Sequence, residues 1–426
     1  MNLPCKPASE VRDRPRRRQT GRMRSRGCVV VAALLSALCV AACSSADANP
    51  PDWVPKPSFQ GDGGGGGTGS SAIPGLPTPS APSGSPGSNS PTSGAPSATP
   101  AEDPNVLAKG LASPIGLAMM PDGTAIVGER ATGRILQVQP KPDQPVTVVK
   151  RLTGLDASGD GGLLDLALSP TYAEDRLIYA YITTATDNRV VDFTMGGTPA
   201  PVLTGIPKGQ TGNTGRLLFG LDGNLYVGTG DAGRPSLAAN PSSLAGKVLL
   251  VNPIGQPVKA GSPVFTTGHH EVDGLCQSST GPIFEAEASP AAGAKDEINV
   301  LTAGANYGWP APAAKSLSAA ATAPDGKGGF GGCAVIGAQL YVTSRDGTDL
   351  LGAGLTATGT STATSTVGTL VSEQLTKYGR LRTVVAASDG ALWLTTSNRD
   401  GQGAPIPADD RVIRIVPQLG GADSPV

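Results

Sequence analysis

Pairs of short apolar segments recur along the chain from about residue 105 onward, and a polar turn joins the two segments of each pair. In the pairs at 115–127 and 383–394 the turn contains Asp-Gly. Because Asp-Gly favours a tight turn between two strands, each pair predicts a β-hairpin. The remaining pairs lie at 163–181, 216–227, 274–284 and 333–342.

Six such hairpins predict an all-β protein, a six-bladed β-propeller. Their spacing of roughly 50–60 residues suits a four-stranded blade with long connections. The segment 411–416 alternates between polar and apolar residues, so it could pair with the first strand and close the ring. A β-sandwich is the alternative, but it would not need six equivalent repeats.

Glycine and proline, with 59 and 39 residues among 426, are unevenly distributed. Residues 44–104 are rich in Gly, Ser, Pro and Thr, show no periodicity, and cannot bury enough apolar surface to offset the entropy of ordering. We therefore predict a disordered linker at 43–104, the propeller at 105–417 and a short tail at 418–426.

The N-terminal segment has the pattern of an export signal. Arginines precede a thirteen-residue apolar run, 28–40, which is too short to span a membrane. Small residues before Cys43 resemble a bacterial lipobox, which implies removal of residues 1–42 and acylation of Cys43. We expect an exported protein, lipid-anchored to the outer face of the cytoplasmic membrane in the cell envelope. A non-lipidated signal peptide and a start at Met23 instead of Met1 remain open.

Charge excludes one class of partner. The chain has a net charge of −1, and residues 1–43 carry nine Lys or Arg against two Asp or Glu, so the rest carries about −8. An acidic mature protein is a poor electrostatic partner for nucleic acid. We expect a small-molecule ligand, sugar-like or anionic, or a protein of the envelope.

Only Cys276 and Cys333 lie outside the N-terminal segment. In an exported protein such a pair predicts a disulfide. The two cysteines fall at nearly the same phase of the fourth and fifth hairpins, and equivalent strands of neighbouring blades lie side by side. Two buried free thiols are the alternative.

An ordered set of motifs resembles the glucose/sorbosone dehydrogenase family, whose soluble members use pyrroloquinoline quinone (PQQ). The motifs span most of residues 110–416. They are Gly-Gly-Leu-Leu-Asp at 161–165, Gly-Arg-Leu at 215–217, Gly-Asp-Ala-Gly-Arg at 230–234, Leu-Ala-Gly-Lys-Val-Leu at 244–249, Gly-His at 268–269, Asp-Glu-Ile-Asn-Val at 296–300, Asn-Tyr-Gly-Trp-Pro at 306–310 and Arg-Leu-Arg at 380–382. The lipobox, the proline-rich linker and segments 169–190 and 204–209 are similar to mycobacterial LppZ-type lipoproteins.

The resemblance implies hydride transfer from the sugar C1 to PQQ, with a histidine base four residues before the Arg of Gly-Arg-Leu. That position is Gly212, which has no side chain to accept a proton. Asp231, the residue that would orient the base, is retained. A cap at a turn or strand end is the favoured role for Asp231 over a catalytic one.

The cofactor positions implied by the family are largely changed. His270 and Glu271 replace an Arg and an Asn that bind PQQ in the family, and Asp160 is a partial match to a Gln or Glu. Arg380 and Arg382 persist; they could bind an anionic ligand or form salt bridges inside the propeller. A carboxylate facing a tricarboxylate cofactor is unfavourable unless a metal intervenes.

The sequence offers two candidate metal sites. Glu297 and Tyr307 match the family's structural calcium site, and their oxygens suit Ca²⁺. His269 and His270 are adjacent and would point to opposite faces of a strand, so one ion cannot readily take both. We expect His269 to be structural and His270 to line a pocket.

Two functions follow from these observations. The first is a surface-displayed binding or interaction propeller whose PQQ site has eroded. The second is a PQQ-dependent aldose dehydrogenase with an altered active site. The space beside Gly212 and His270 distinguishes them, because a quinone needs that space to be empty.

Overall fold

A computed structural model describes residues 102–417, apart from 280, 291–293 and 358–364. The predicted signal peptide, Cys43, the linker as far as residue 101, and the tail at 418–426 lie outside the described residues. Among the described residues no helix is long and apolar enough to cross a membrane.

The described chain is almost entirely β-structure, as the hairpin repeats predict. Its helical elements are α1 (Tyr172–Asp175), α2 (Pro235–Ala239) and a 3-10 turn at Thr376–Tyr378. The strands are β1 (Val106–Ala108), β2 (Pro114–Met119), β3 (Ala125–Glu129), β4 (Arg134–Val138), β5 (Thr147–Arg151), β6 (Leu163–Leu168), β7 (Ile178–Thr183), β8 (Asn188–Phe193), β9 (Ala200–Ile206), β10 (Gly215–Phe219), β11 (Leu225–Thr229), β12 (Lys247–Val251), β13 (Val264–Thr267), β14 (Val272–Gln277), β15 (Ile283–Glu287), β16 (Glu297–Val300), β17 (Ala321–Thr322), β18 (Phe330–Ile336), β19 (Gln339–Ser344), β20 (Asp349–Ala357), β21 (Ser365–Val367), β22 (Val371–Ser372), β23 (Leu381–Ala386), β24 (Leu392–Thr396) and β25 (Val412–Ile415).

Within the described residues these strands form six antiparallel sheets, the blades of a β-propeller. Blades one to four are β2–β5, β6–β9, β10–β13 and β14–β17; blade five is β18–β21 with β22 paired to β20. Blade six has the order β1-β25-β24-β23, so its outer strand comes from the start of the propeller. Val106 pairs with Ile413, which confirms the predicted closure of the ring by the last strand.

Apolar residues pack chiefly between neighbouring blades. The buried side chains form six clusters, each dominated by two adjacent blades, so the core is a continuous ring of interfaces. The interface between blades one and two, for example, buries Ile126 and Ile135 against Leu163 and Ile178. Alternating strand residues can face both neighbours, which explains why the inner strands are apolar on both sides.

Cys276 and Cys333 form a disulfide with a Cα–Cα distance of 5.6 Å. The bond joins β14 to β18, the innermost strands of blades four and five. The predicted pairing is therefore confirmed, and it follows from the equal phase of the two cysteines in successive hairpins.

Candidate functional site

The first residues of the innermost strands surround one end of the central channel. Ile115, Leu164, Arg216 and Arg382 lie at the starts of β2, β6, β10 and β23, and together they line a cavity of about 70 Å³. It adjoins cavities of about 200 Å³ and about 280 Å³, and Arg345 lines all three. We call the three together the central cavity. The residues that line two or more of its parts are Ile115, Asp160, Glu271, Arg345, Arg382, Asp400 and Gln402.

A second ring of side chains reaches this cavity from the ends of the second strands. Arg130 follows β3, Arg345 follows β19 and Ser397 follows β24, and all three line the part of about 200 Å³. In an antiparallel hairpin the end of the second strand lies beside the start of the first. The fold therefore brings the two rings to the same end of the channel.

A buried carboxylate lies between two guanidinium groups in the wall of the central cavity. Asp273 is fully buried, 3.6 Å from Nη2 of Arg345 and 3.7 Å from Nη2 of Arg382. Neither oxygen of Asp273 has a hydrogen-bond partner, and neither does Nε of Arg382. Burial and the neighbouring Arg345 lower the pKa of Arg382 to about 9.

Arg216 lines the smallest part of the central cavity and contacts residues of several blades. Its Nη2 donates a hydrogen bond to the carbonyl of Gly331 over 2.6 Å, and its Nη1 lies 3.6 Å from Oδ1 of Asp165. Its Nε donates to the carbonyl of Asp273. Burial raises the pKa of Asp165 to about 6, despite the nearby guanidinium. These contacts give Arg216 a structural role.

Glu271 lines the central cavity, and its carboxyl group has a raised pKa. Its Oε2 accepts a hydrogen bond from Oγ1 of Thr214 over 3.1 Å. Burial, and then the charge of Asp273, raise the pKa of Glu271 to about 7. Near neutral pH this group is therefore divided between its neutral and charged forms.

Gly212 lies in a tight loop with a φ of +71°, a left-handed conformation that glycine adopts most easily. Its N–H donates to Oδ2 of Asp160 over 2.7 Å, and its carbonyl accepts from the N–H of Ala232 over 2.9 Å. A Cβ atom here would lie 2.6 Å from the nitrogen of Gly233 and 2.8 Å from Oδ1 of Asp231. Backbone and a carboxylate therefore fill the space beside Gly212.

Asp231 is buried and both of its carboxylate oxygens accept hydrogen bonds. Oδ1 accepts from the N–H of Gly233 over 2.8 Å, within the turn that follows β11. Oδ2 accepts from the indole Nε1 of Trp309 over 3.0 Å.

Asp160 lines the central cavity, but its carboxylate also holds the loop around Gly212. It accepts from the Gly212 N–H and, over 2.5 Å, from Nδ2 of Asn213.

Arg380, the other retained position, is enclosed by acidic neighbours. It donates to Asp346 over 2.9 Å and to Asp400 over 3.0 Å.

The two histidines lie in the loop between β13 and β14, not on a strand, and they face different surroundings. His270 lines the part of the cavity of about 280 Å³, its Nδ1 lies 3.0 Å from the carbonyl of Ala288, and its ring packs edge-on against Trp309. His269 is fully buried, with Nδ1 3.1 Å from Oε2 of Glu287 and 3.7 Å from Oε1 of Glu285.

Glu297 and Tyr307 share a separate cavity of about 310 Å³, which Glu287 also lines. Burial, and then the charge of Glu287, raise the pKa of Glu297. Asp296 faces elsewhere, since its oxygens accept from the N–H groups of Ser289 and Phe330. The structure thus brings Glu297 and Tyr307 together. Calcium between them stays a prediction.

Sequence reasoning missed Arg345, Trp309 as a partner of Asp231, and the pair Glu285 and Glu287. Arg345 could have been found from the repeat, because it and Arg130 occupy the same position directly after the second strand of a blade. No comparable signal was available for Trp309, which lies in an irregular loop and reaches another blade.

A family model described as Glucose / Sorbosone dehydrogenase matches residues 111–405. Quinoprotein glucose dehydrogenase B of Acinetobacter calcoaceticus is 30% identical over 252 residues, which cover 49% of this chain and 52% of that protein. The chain thus spans about half the length of the curated relatives it matches.

Solved structures match most of the propeller. The PQQ-bound aldose sugar dehydrogenase of Streptomyces coelicolor is 35% identical, with a TM-score of 0.67, and the match covers 72% of this chain and 95% of that one. A putative oxidoreductase (glucose dehydrogenase) of Thermus thermophilus is 34% identical, with a TM-score of 0.65, covering 72% and 98%.

Proposed function

The chain belongs to the glucose/sorbosone dehydrogenase family, and we propose that its propeller is a ligand-binding module of the cell envelope with an eroded PQQ site. Four features support this proposal: the loop at Gly212, the engagement of Asp231, the charge of the central cavity and the N-terminal sequence.

The loop at Gly212 is the observation that carries the proposal. The family resemblance places the catalytic base at this position, and glycine supplies no proton acceptor. The loop also leaves no room for one, because a Cβ atom would lie within 3.0 Å of three backbone or carboxylate atoms. A positive φ adds strain for any other residue.

Asp231 would orient that base, but its acceptor atoms already have partners. Trp309 and the N–H of Gly233 each hold one oxygen. An orienting carboxylate accepts from the imidazole N–H of the base. With glycine at position 212 there is no imidazole to orient, so the retained aspartate serves the turn and the contact with Trp309.

The charge of the central cavity does not suit a cofactor with three carboxylates. Arg380 is paired with Asp346 and Asp400, and Arg345 and Arg382 both face Asp273. Asp160 and Glu271 add acidic groups to the lining. The residues present therefore do not fit PQQ, and we assign no reaction step to it.

The same lining fits a neutral, polyhydroxylated ligand of the sugar class better than an anion. Arg345 and Arg382 offer donors, while Glu271 and Asp160 offer acceptors, within one cavity. Arg382 lines two parts of this cavity and keeps 17% of its side chain exposed, so a ligand can contact it. Sugars present donors and acceptors on every hydroxyl, so mixed polarity matches them.

We further propose that Cys43 anchors the protein to the membrane and that residues 44–104 let the propeller stand away from it. The proposal rests on the lipobox-like sequence and the composition of the linker. The disulfide between Cys276 and Cys333 supports an oxidising compartment.

A PQQ reconstitution assay on the full chain tests the main proposal. With PQQ and Ca²⁺ added, we expect no dye reduction on any of a panel of aldoses and no tight PQQ binding by fluorescence titration. In the absence of PQQ, calorimetry against the same sugars should detect binding that Arg382→Met weakens more than tenfold. Arg151→Met, on the exposed strand β5, is the matched control. Turnover that Arg382→Met abolishes would overturn the proposal, as would a lack of sugar binding.

A PQQ-dependent aldose dehydrogenase with an altered site is the second candidate. One observation favours it: Glu271 lines the cavity with a pKa of about 7, which is the basicity a general base needs near neutral pH. Turnover in the reconstitution assay that disappears in Glu271→Gln would select this candidate.

A further inference from the structure

His269, Glu285 and Glu287 converge in the interior of blade four, next to the cavity that Glu297 and Tyr307 line. We call these three residues the His-Glu-Glu triad. One ligand atom from each of the three residues lies within 4.8 Å of those of the other two. His269 and Glu285 are fully buried, and Glu287 is 7% exposed.

From this geometry we propose that the triad binds one divalent transition-metal ion, with Zn²⁺ as the best match. Nδ1 of His269 lies 3.1 Å from the Glu287 oxygen and 3.7 Å from the Glu285 oxygen. Zinc bonds of about 2.0–2.1 Å place tetrahedral ligands roughly 3.3 Å apart, which falls between these two distances.

The outer atom of each triad residue is already held by a neighbour. Nε2 of His269 lies 2.8 Å from Oγ1 of Thr266. Oε2 of Glu285 accepts from Nδ2 of Asn299 over 2.9 Å, and Oε1 of Glu287 accepts from the N–H of His270. Metal ligands in proteins are typically oriented in this way by a second layer of hydrogen bonds.

An unpartnered atom points into the triad. Oε1 of Glu285 is buried and has no hydrogen-bond partner. A buried acceptor without a donor is costly, and a metal ion at the centre of the triad would remove that cost.

The choice of metal follows from the imidazole and from access. Ca²⁺ prefers six to eight oxygen ligands, whereas Zn²⁺ readily takes mixed nitrogen and oxygen ligands. Glu287 lines the cavity of about 310 Å³, so an ion can enter from that side and keep its fourth position open there. The triad adjoins the calcium position expected between Glu297 and Tyr307, because Glu287 lines the same cavity as those two residues. The proposal does not depend on the proposed sugar-binding function.

Metal analysis and titration of the full chain test the inference. We expect about one equivalent of zinc after purification without chelators, and a Kd for Zn²⁺ tighter than about 1 µM on the metal-free protein. Co²⁺ should give the strong visible absorption of a tetrahedral site, and excess Ca²⁺ should not displace it. If the wild-type chain shows no stoichiometric zinc and no tetrahedral cobalt spectrum, the inference is wrong, and Glu285 and Glu287 share a proton instead.

Variants separate the triad from other acidic groups. Glu285→Gln should weaken Zn²⁺ binding more than about 100-fold, beyond the loss caused by removing a supporting hydrogen bond. Glu373→Gln removes an exposed carboxylate outside the triad; it is the control and should bind Zn²⁺ like the wild type. If Glu297→Gln weakens binding as much as Glu285→Gln, the ion lies elsewhere in the cavity and the inference is wrong. The cobalt spectrum of the wild type decides the matter if Glu285→Gln does not fold.

Discussion

Trp309 donates a hydrogen bond from its indole Nε1 to Oδ2 of Asp231 across 3.0 Å. The contact joins the loop that follows β16 in blade four to the turn that follows β11 in blade three. His270 packs edge-on against the same indole, with ring centroids 5.1 Å apart. An aspartate that the family resemblance assigns to catalysis therefore takes part in a contact between blades.

Removing the indole N–H of Trp309 should lower the free energy of unfolding of the propeller. Trp309→Phe keeps an aromatic ring but leaves Oδ2 of Asp231 buried without its donor, which costs about 1–3 kcal/mol. Urea unfolding of Trp309→Phe, Asp231→Asn and the double variant measures the coupling between the two residues. Costs that simply add would show that the hydrogen bond does not contribute.

The second prediction concerns the loop where the family has its base. Gly212→Ala should cost more stability than Gly223→Ala. Both glycines have a φ above +70°, but a Cβ at Gly223 meets nothing within 4 Å, whereas one at Gly212 meets backbone at 2.6 Å. Left-handed strain of about 1–2 kcal/mol is common to both, and overpacking adds roughly 1–3 kcal/mol at Gly212 alone.

Thermal and urea unfolding of the two alanine variants check this difference. Gly212→His should be at least as destabilised as Gly212→Ala and should not gain dehydrogenase activity when PQQ is added. Equal losses at the two glycines would mean that the loop can open, and the space for a base would then be available.

The fold could be predicted because the sequence signals for its hairpins are local and recur in every blade-sized repeat. Asp-Gly turns at Asp122 and Asp389 predict the inner hairpins of blades one and six, and alternation at 411–416 predicts the closing strand. Equal phase in adjacent repeats also predicts the pairing of Cys276 with Cys333. Each of these inferences needs only the period of the repeat.

The candidate site was less predictable because its contacts join different blades. Asp273 meets Arg345 and Arg382 only after three blades assemble, and no spacing in the sequence records that meeting. Glu285 is a polar residue at a strand position that points into a buried cluster, so its role depends on Asn299 in the neighbouring strand. Family comparison identifies the residues that are retained, but it does not show that Trp309 donates a hydrogen bond to Asp231.

The third prediction is a pH dependence of stability that arises from Glu271. Its pKa is raised from 4.5 to about 7 in the folded protein, so the native state binds more protons than the unfolded state between these values. Stability due to this group is therefore full below pH 4.5 and is lost as the pH rises through 7, by up to about 3 kcal/mol. The free energy of unfolding between pH 5 and 8 should fall more steeply in the wild type than in Glu271→Gln. Parallel curves would contradict this assignment.

The fourth prediction addresses the membrane anchor. Cys43→Ser should abolish incorporation of a clickable palmitate analogue and move the protein from the membrane fraction to the soluble exported fraction, because the thiol is the acylation site in a lipobox. Cys39→Ser, in the segment expected to be removed, is the control and should label normally. Labelling that persists in Cys43→Ser would contradict the anchor.

The disulfide between Cys276 and Cys333 should make a large contribution to stability, because it links adjacent inner strands and closes a loop with a separation of 57 residues. Loop-closure entropy of that length corresponds to about 4 kcal/mol. We expect Cys276→Ala/Cys333→Ala to lose about that amount in urea unfolding and to become insensitive to dithiothreitol. The wild type, reduced while unfolded and then refolded in dithiothreitol, should match the double variant. A wild-type midpoint that does not change on reduction would mean that packing between blades four and five, rather than the bond, holds these strands together.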